Sequence, residues 1–202
     1  MIFWIASYPK SGNTWLRALL SSYYYSENGV FHQKLLENIG QFPEKKYFED
    51  FSYNKEIVTS TSNFWIKAQN KINKDKKLKF FKTHNILGAI NKNNFTDKNN
   101  TLGAIYIVRD PRNVITSIKN HYSFSNYQDA KGFLFRDNQI LTPSEKEKEM
   151  YLNKDRHPLP TIIGSWKTHY LSWRNMKKNN LLIKYEDLIK KPKEEFTKIS
   201  NF

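Results

Sequence analysis

The sequence predicts an α/β fold built on a central, mainly parallel sheet. Three observations predict it. Ile2-Phe3-Trp4-Ile5-Ala6 is a short apolar run that leads through a glycine-containing loop into residues 15–23, where Leu16, Leu19, Leu20 and Tyr23 recur at helical spacing. Residues 78–84 and 102–108 are two further strand-length runs, the first ending in Lys82-Thr83-His84 and the second running directly into Arg109-Asp110. Segments with helical spacing alternate with these runs, at 57–73, after Pro111 and at 161–178, and strands alternating with helices are the pattern of a parallel sheet.

The chain has 202 residues, enough for one α/β domain with a full core, and neither an internal repeat nor a linker divides it, so one domain over 1–202 is expected. Apolar residues make up 39% and aromatics 15%, which excludes a disordered chain. No run of 18 apolar residues is present, so no membrane span is expected. The first strand starts at Ile2 with no basic or apolar leader before it, and there is no cysteine; both features suit a cytoplasmic protein without a signal peptide. The five histidines are scattered away from metal-ligand spacing, so no metal is expected. The net charge of +14 favours anionic partners, although much of the lysine sits with asparagine in loops such as 91–94 and 98–100 and reads as a solvated surface.

The loop after the first strand is Ser7-Tyr8-Pro9-Lys10-Ser11-Gly12-Asn13-Thr14-Trp15. A helix start offers unpaired backbone N–H groups and the positive end of the helix dipole, and phosphate suits such an end. Ser11, Asn13 and Thr14 add side-chain donors, Gly12 removes a Cβ where a ligand approaches, and Lys10 adds a positive charge. Taken singly, Lys10 reads as a surface lysine and Gly12 as a turn residue; their convergence on one helix start favours a phosphate. The loop is not a Walker A motif, because Lys10 precedes Gly12 and no glycine lies earlier.

The second strand ends in Lys82-Thr83-His84, and ligands in parallel α/β sheets sit outside the carboxyl ends of strands. On position alone His84 reads most plainly as an ordinary hydrogen-bonded histidine, though one near neutral pKa serves as a base. The third strand runs into Arg109-Asp110-Pro111-Arg112-Asn113, where Asp110 caps a helix and Pro111 fits its first position. Arg109 at the strand end offers a fork for a phosphate or a partner for an aspartate, and Ser117 follows two turns later. Thr142-Pro143-Ser144-Glu145 is a capping-box pattern opening a helix through Leu152, and the long polar stretch 123–160 reads as a mobile cover or an inert loop. Residues 161–178 read as a helix with Ile162, Trp166, Tyr170 and Trp173 on one face, and Leu181 to Leu188 as a strand followed by a helix start.

These segments resemble the PAPS-dependent sulfotransferases over essentially the whole chain. Residues 8–15 look like that family's 5′-phosphosulfate loop, with Asn13 where Thr is frequent. Lys82-Thr83-His84 resembles its catalytic triplet, residues 107–117 its 3′-phosphate motif, the Gly164-Ser165-Trp166 segment with His169 and Trp173 a family segment of similar spacing, and Tyr185-Glu186-Asp187-Leu188 its adenine-side segment. The resemblance implies a P-loop-like three-layer α/β/α fold and PAPS as sulfuryl donor, with PAP as product and no metal. It implies His84 as base, with Lys10 and Lys82 on the leaving phosphate and the sulfuryl group. It places Lys10, Ser11, Gly12, Asn13, Thr14, Trp15, Arg109, Ser117 and Tyr185 around the cofactor. The family's C-terminal Arg-Lys-Gly segment has no counterpart before Phe202.

The acceptor is expected to be a small molecule or a glycan, chosen by residues 24–56 and 123–160; neither nucleic acid nor membrane is an expected partner. Two other readings stay open on the sequence. Residues 105–110 also read as a Mg²⁺-binding strand of a kinase or nucleotide hydrolase, and the charge alone fits a non-enzymatic polyanion binder.

Overall fold

The computed structural model describes residues 1–54, 57–143, 157–177 and 179–202. Among these residues five strands form one sheet in the order β2 (Gly40–Gln41), β3 (Lys79–Thr83), β1 (Ile2–Ser7), β6 (Thr101–Val108) and β9 (Asn180–Lys184). Every neighbouring pair in it is parallel. Two short antiparallel pairs lie outside it: β4 (Ala89–Ile90) with β5 (Asn93–Asn94), and β7 (Ile140–Leu141) with β8 (Thr161–Ile162).

Alternation along β1 divides the core. Ile2, Trp4 and Ala6 face one side, where they meet Phe42, Phe48, Trp65, Phe81, Phe95 and Trp173. Ile5 faces the other, with Leu16, Leu20, Ile107, Ile183 and Leu188. Helices cover both faces. Helix α1 (Asn13–Tyr25) contributes Leu16 and Leu20 to the Ile5 side, and α2 (Trp65–Ile72) contributes Trp65 and Ala68 to the Trp4 side. Beyond the carboxyl ends of the strands, α3 (Pro111–His121) packs on α4 (Tyr127–Phe135) through Val114, Ile118, Phe133 and Leu134, around the buried Tyr8. The three-layer α/β/α arrangement expected from the sequence is therefore present.

Three elements differ from the sequence expectation. The expected helix over 57–73 begins as a 3₁₀ turn at Ser60–Phe64, and Ile57, the first residue of that span, is 54% exposed. The run Thr59-Ser60-Thr61-Ser62-Asn63 explains it, since short polar side chains compete for backbone groups; Ser60 Oγ donates to the Asn54 carbonyl. The helix expected over 161–178 is α5 (Trp166–Arg174). Thr161 and Ile162 instead pair with β7, Gly164 takes a left-handed φ of 62°, and the Ser165 side chain caps the helix by accepting from Thr168 N. Residues 127–135, read as part of a polar cover, form α4, which is capped by Asn126 and buries Ala130, Phe133 and Leu134. The capping-box helix from Ser144 to Leu152 lies outside the described residues. The chain closes with α6 (Tyr185–Lys190) and α7 (Pro192–Ser200).

Trp4 is central to the larger face: it is fully buried, its ring meets Phe42, Phe81 and Phe95, and its Nε1 donates to Thr101 Oγ1 at 2.8 Å. Trp4→Ala is expected to cost about 3–5 kcal/mol in urea unfolding, whereas Trp4→Phe, which keeps most of the packing but loses the hydrogen bond, costs about 1 kcal/mol.

Candidate functional site

The site lies at the carboxyl ends of β1, β3 and β6, where the parallel register aligns their last residues: Ala6 pairs with Thr83, and Ser7 with Ile107. The next residue on β3 is His84. Its Nδ1 lies 2.7 Å from the Ser7 carbonyl oxygen and 3.2 Å from Ser7 Oγ. A carbonyl only accepts, so Nδ1 carries the hydrogen and Nε2 keeps the lone pair. Desolvation, aided by the Lys82 charge, holds the ring's pKa well below its usual 6.5, so the imidazole is neutral at physiological pH.

The loop that follows β1 turns through two left-handed residues, Lys10 at φ 65° and Gly12 at φ 97°. For lysine that conformation is strained. Its carbonyl is held from outside the loop, by Arg109 Nη1 at 3.0 Å. Gly12 has a steric reason as well: a Cβ there would stand 2.2 Å from Tyr185 Cδ2. Arg109 also meets the Tyr185 ring, its guanidinium carbon 4.7 Å from the centroid. Glu186 Oε1 accepts from Asp110 N at 3.1 Å, joining the start of α6 to the start of α3. Three segments far apart in sequence, at 10–12, 109–110 and 185–186, thus meet at one place.

Asn13 takes a different part from the one its sequence position suggested. Its Nδ2 donates to the Ile5 carbonyl at 3.1 Å and to Ser7 Oγ at 3.2 Å, so both amide hydrogens serve β1. What Asn13 has left for an anion is its backbone N–H at the helix start. Ser11 Oγ and Arg109 Nε, by contrast, are buried with no hydrogen-bond partner among the described residues. Donors buried and unpaired are costly, and these two lie on the loop and on the strand end that an anionic ligand would bridge. The residues present therefore fit a bound phosphate ester. Burial and the nearby Arg109 charge lower the Lys10 pKa below 10.5, a cost that an anion also relieves.

The structure brings Lys10, Gly12, Arg109 and Tyr185 together, with His84 against Ser7, where the same loop begins. Lys82 is half-buried on β3, its Nζ 3.4 Å from Gln41 Oε1. Thr14 and Trp15 are exposed on the first turn of α1, and Ser117 is partly buried in the second turn of α3. Sequence reasoning gave no part to Ser7 and Tyr106, and His169 entered only within a motif. Tyr106 OH is 2.9 Å from His169 Nδ1, and His169 Nε2 is 3.0 Å from the His84 carbonyl. Among the described residues, no group of three or more histidines and carboxylates is arranged to hold a metal, and no helix is long and apolar enough to cross a membrane.

Comparison with known proteins finds relatives over nearly the whole chain. A family model described as "Sulfotransferase domain" matches residues 2–202. A 3-alpha-hydroxysteroid sulfotransferase of Cavia porcellus is 25% identical over 198 residues, covering 97% of this chain and 56% of that protein. Sulfotransferase 1B1 of Canis lupus familiaris is 25% identical over 202 residues, covering 98% and 57%. The chain thus spans a little over half the length of these curated relatives. Among solved structures, mouse sulfotransferase SULT7A1 complexed with PAP superposes with a TM-score of 0.55 at 19% identity, covering 99% of this chain and 57% of that one. Retinol dehydratase in a complex with retinol and PAP gives 0.56 at 15% identity, covering 99% and 59%. At these identities the structural likeness is one of fold.

Gly12→Ala tests the loop geometry directly. It is expected to destabilise the chain by about 1–3 kcal/mol, from the left-handed φ and the contact with Tyr185. Gly88→Ala, where an added Cβ meets nothing within 4 Å, is the control and should fall within about 0.5 kcal/mol of the parent in the same urea titration.

Proposed function

The chain belongs to the sulfotransferase domain family, and from that premise we propose that it transfers a sulfuryl group from PAPS to a hydroxyl or amine of a small-molecule or glycan acceptor. The observation that carries this reading is the pair of buried donors without a partner among the described residues, Ser11 Oγ and Arg109 Nε, on two segments that meet beside a neutral histidine. Lys10, Ser11, Gly12 and the backbone of Asn13, Thr14 and Trp15 would hold the 5′-phosphosulfate. Arg109 and Ser117 would hold the 3′-phosphate, and the Tyr185 ring would border the adenine. PAPS supplies the sulfuryl group and is left as PAP.

The chain's own residues do the rest. His84 accepts the acceptor's proton at Nε2, because its Nδ1–H is committed to the Ser7 carbonyl. The Lys10 ammonium faces the charge that develops on the leaving phosphate oxygen, and Lys82, two residues before the base, assists at the sulfuryl oxygens. Two lysines and an arginine supply the positive charge that a metal supplies in nucleotide kinases. The name of the Cavia porcellus relative carries a hydroxysteroid, which favours a small hydroxyl acceptor over a glycan. A single domain over 1–202 and a cytoplasmic setting belong to the same proposal.

Calorimetric titration with PAP tests the site. Binding is expected in EDTA and unchanged by Mg²⁺, and Lys10→Ala or Arg109→Ala should weaken it about tenfold to a hundredfold, the loss of one charge-assisted hydrogen bond. Binding that requires Mg²⁺ and prefers ATP would establish the kinase reading instead.

The pH profile of kcat/KM reports groups in the free enzyme. His84 must be neutral, and its pKa is lowered, so the acid limb is expected below pH 6.5. Lys10 must be charged, and its pKa is also lowered, so the alkaline limb begins below pH 10.5. His84→Ala should abolish turnover while leaving PAP affinity within about twofold, since the base does not hold the cofactor.

A further inference from the structure

Helix α5 presents two ring N–H groups on one face, at His169 and Trp173, one helical turn apart. They meet two successive carbonyls at the end of β3. His169 Nε2 lies 3.0 Å from the His84 oxygen, and Trp173 Nε1 donates to the Asn85 oxygen at 2.9 Å. Ser172 Oγ accepts from Leu87 N at 3.1 Å, extending the same grip by two residues. Both rings are fully buried.

The proton positions follow from the partners. The His84 carbonyl only accepts, so the His169 hydrogen is on Nε2. Burial lowers the His169 pKa to about 3, so the ring is neutral and its Nδ1 accepts from the Tyr106 hydroxyl at 2.9 Å. Burial also raises the Tyr106 pKa, which keeps that hydroxyl protonated and donating. Tyr106 stands on β6, two strands from β3, with β1 between them. The Tyr8 ring, on the phosphate loop, meets the His169 ring edge-on at 5.5 Å. A chain of donors therefore runs from Tyr106 through His169 to the backbone of His84, whose own side chain donates to Ser7. The first two bonds share the His169 ring, so the bond from Tyr106 strengthens the one to the His84 carbonyl.

We propose that His169 is a positioning residue for His84: it anchors the His84 carbonyl so that the imidazole meets Ser7 through Nδ1–H and keeps Nε2 open toward the acceptor. A leucine would fill the same volume without the cost of burying an imidazole. What leucine lacks is the donor to the His84 carbonyl and the acceptor for Tyr106. The role rests on the reading of His84 as base, but its structural half does not.

The test uses three variants of the whole chain. His169→Leu removes both hydrogen bonds, His169→Gln keeps a donor in the place of Nε2, and Tyr106→Phe removes only the far partner. The first readout is the His84 tautomer by long-range ¹H–¹⁵N correlation in ligand-free protein, which needs no turnover. The parent is expected to show the Nδ1–H form alone. His169→Leu should show a mixture of tautomers, with kcat lowered at least tenfold and PAP affinity within twofold of the parent. His169→Gln should restore the single tautomer and most of kcat. Where His169→Leu fails to fold by circular dichroism, Tyr106→Phe carries the test, with a smaller shift in the same direction. A His84 that keeps the Nδ1–H form in His169→Leu, or a Tyr106→Phe protein indistinguishable from the parent when His169→Leu does not fold, overturns the proposal. So does equal loss of kcat and PAP affinity. A tautomer that shifts as expected in a protein without sulfuryl transfer would sink the function and leave the positioning intact.

Discussion

The bond from His84 Nδ1 to the Ser7 carbonyl joins the ends of β1 and β3 and fixes the chemistry of both. It exists because the parallel register sets Ala6 beside Thr83, so the residues that leave the sheet next are the two that meet. It commits the Nδ1 hydrogen of His84 and leaves the ring's lone pair on Nε2. Asn13 braces the same point from the helix, through Ile5 and Ser7, so the loop before α1 and His84 share one support. A shift of one residue in either strand would reverse which side chains face the core and separate the pair.

Electrostatic cost is concentrated around that support. Lys10 sits in a strained backbone conformation with a lowered pKa, Arg109 has a buried Nε without a partner among the described residues, and His84 is held neutral by desolvation and by Lys82. An anion placed there would offset two of these costs, by pairing the Arg109 Nε donor and by favouring the charged form of Lys10. Arg109 is held by the Lys10 carbonyl and the Tyr185 ring, which fixes the direction of its fork.

Much of this was legible in the chain. The strand at 2–7, its loop and its helix follow from a local apolar run and a glycine, and the strand at 101–108 with Asp110 capping α3 follows in the same way. Those features depend on near neighbours. The convergence of Gly12, Arg109 and Tyr185 was legible only through the resemblance, since nothing local says that residues so distant in sequence will touch. His169 and Tyr106 were missed as a pair for the same reason: an apolar helix face and an apolar strand hide a polar contact that only the packed sheet creates. The helix at 166–174 was placed too early because Ile162 fits helical spacing, while Gly164 and Ser165 carry the actual start signal. Asn13 looked like a ligand donor because its position is right, yet its side chain is spent on β1.

A crystal structure of the chain with PAP tests the central claim most directly. The account predicts the 5′-phosphate against Ser11 Oγ and the first-turn N–H groups of α1, the 3′-phosphate on Arg109, and the adenine beside Tyr185. A nucleotide bound elsewhere, or one whose 3′-phosphate leaves Arg109 Nε without a partner, would contradict it.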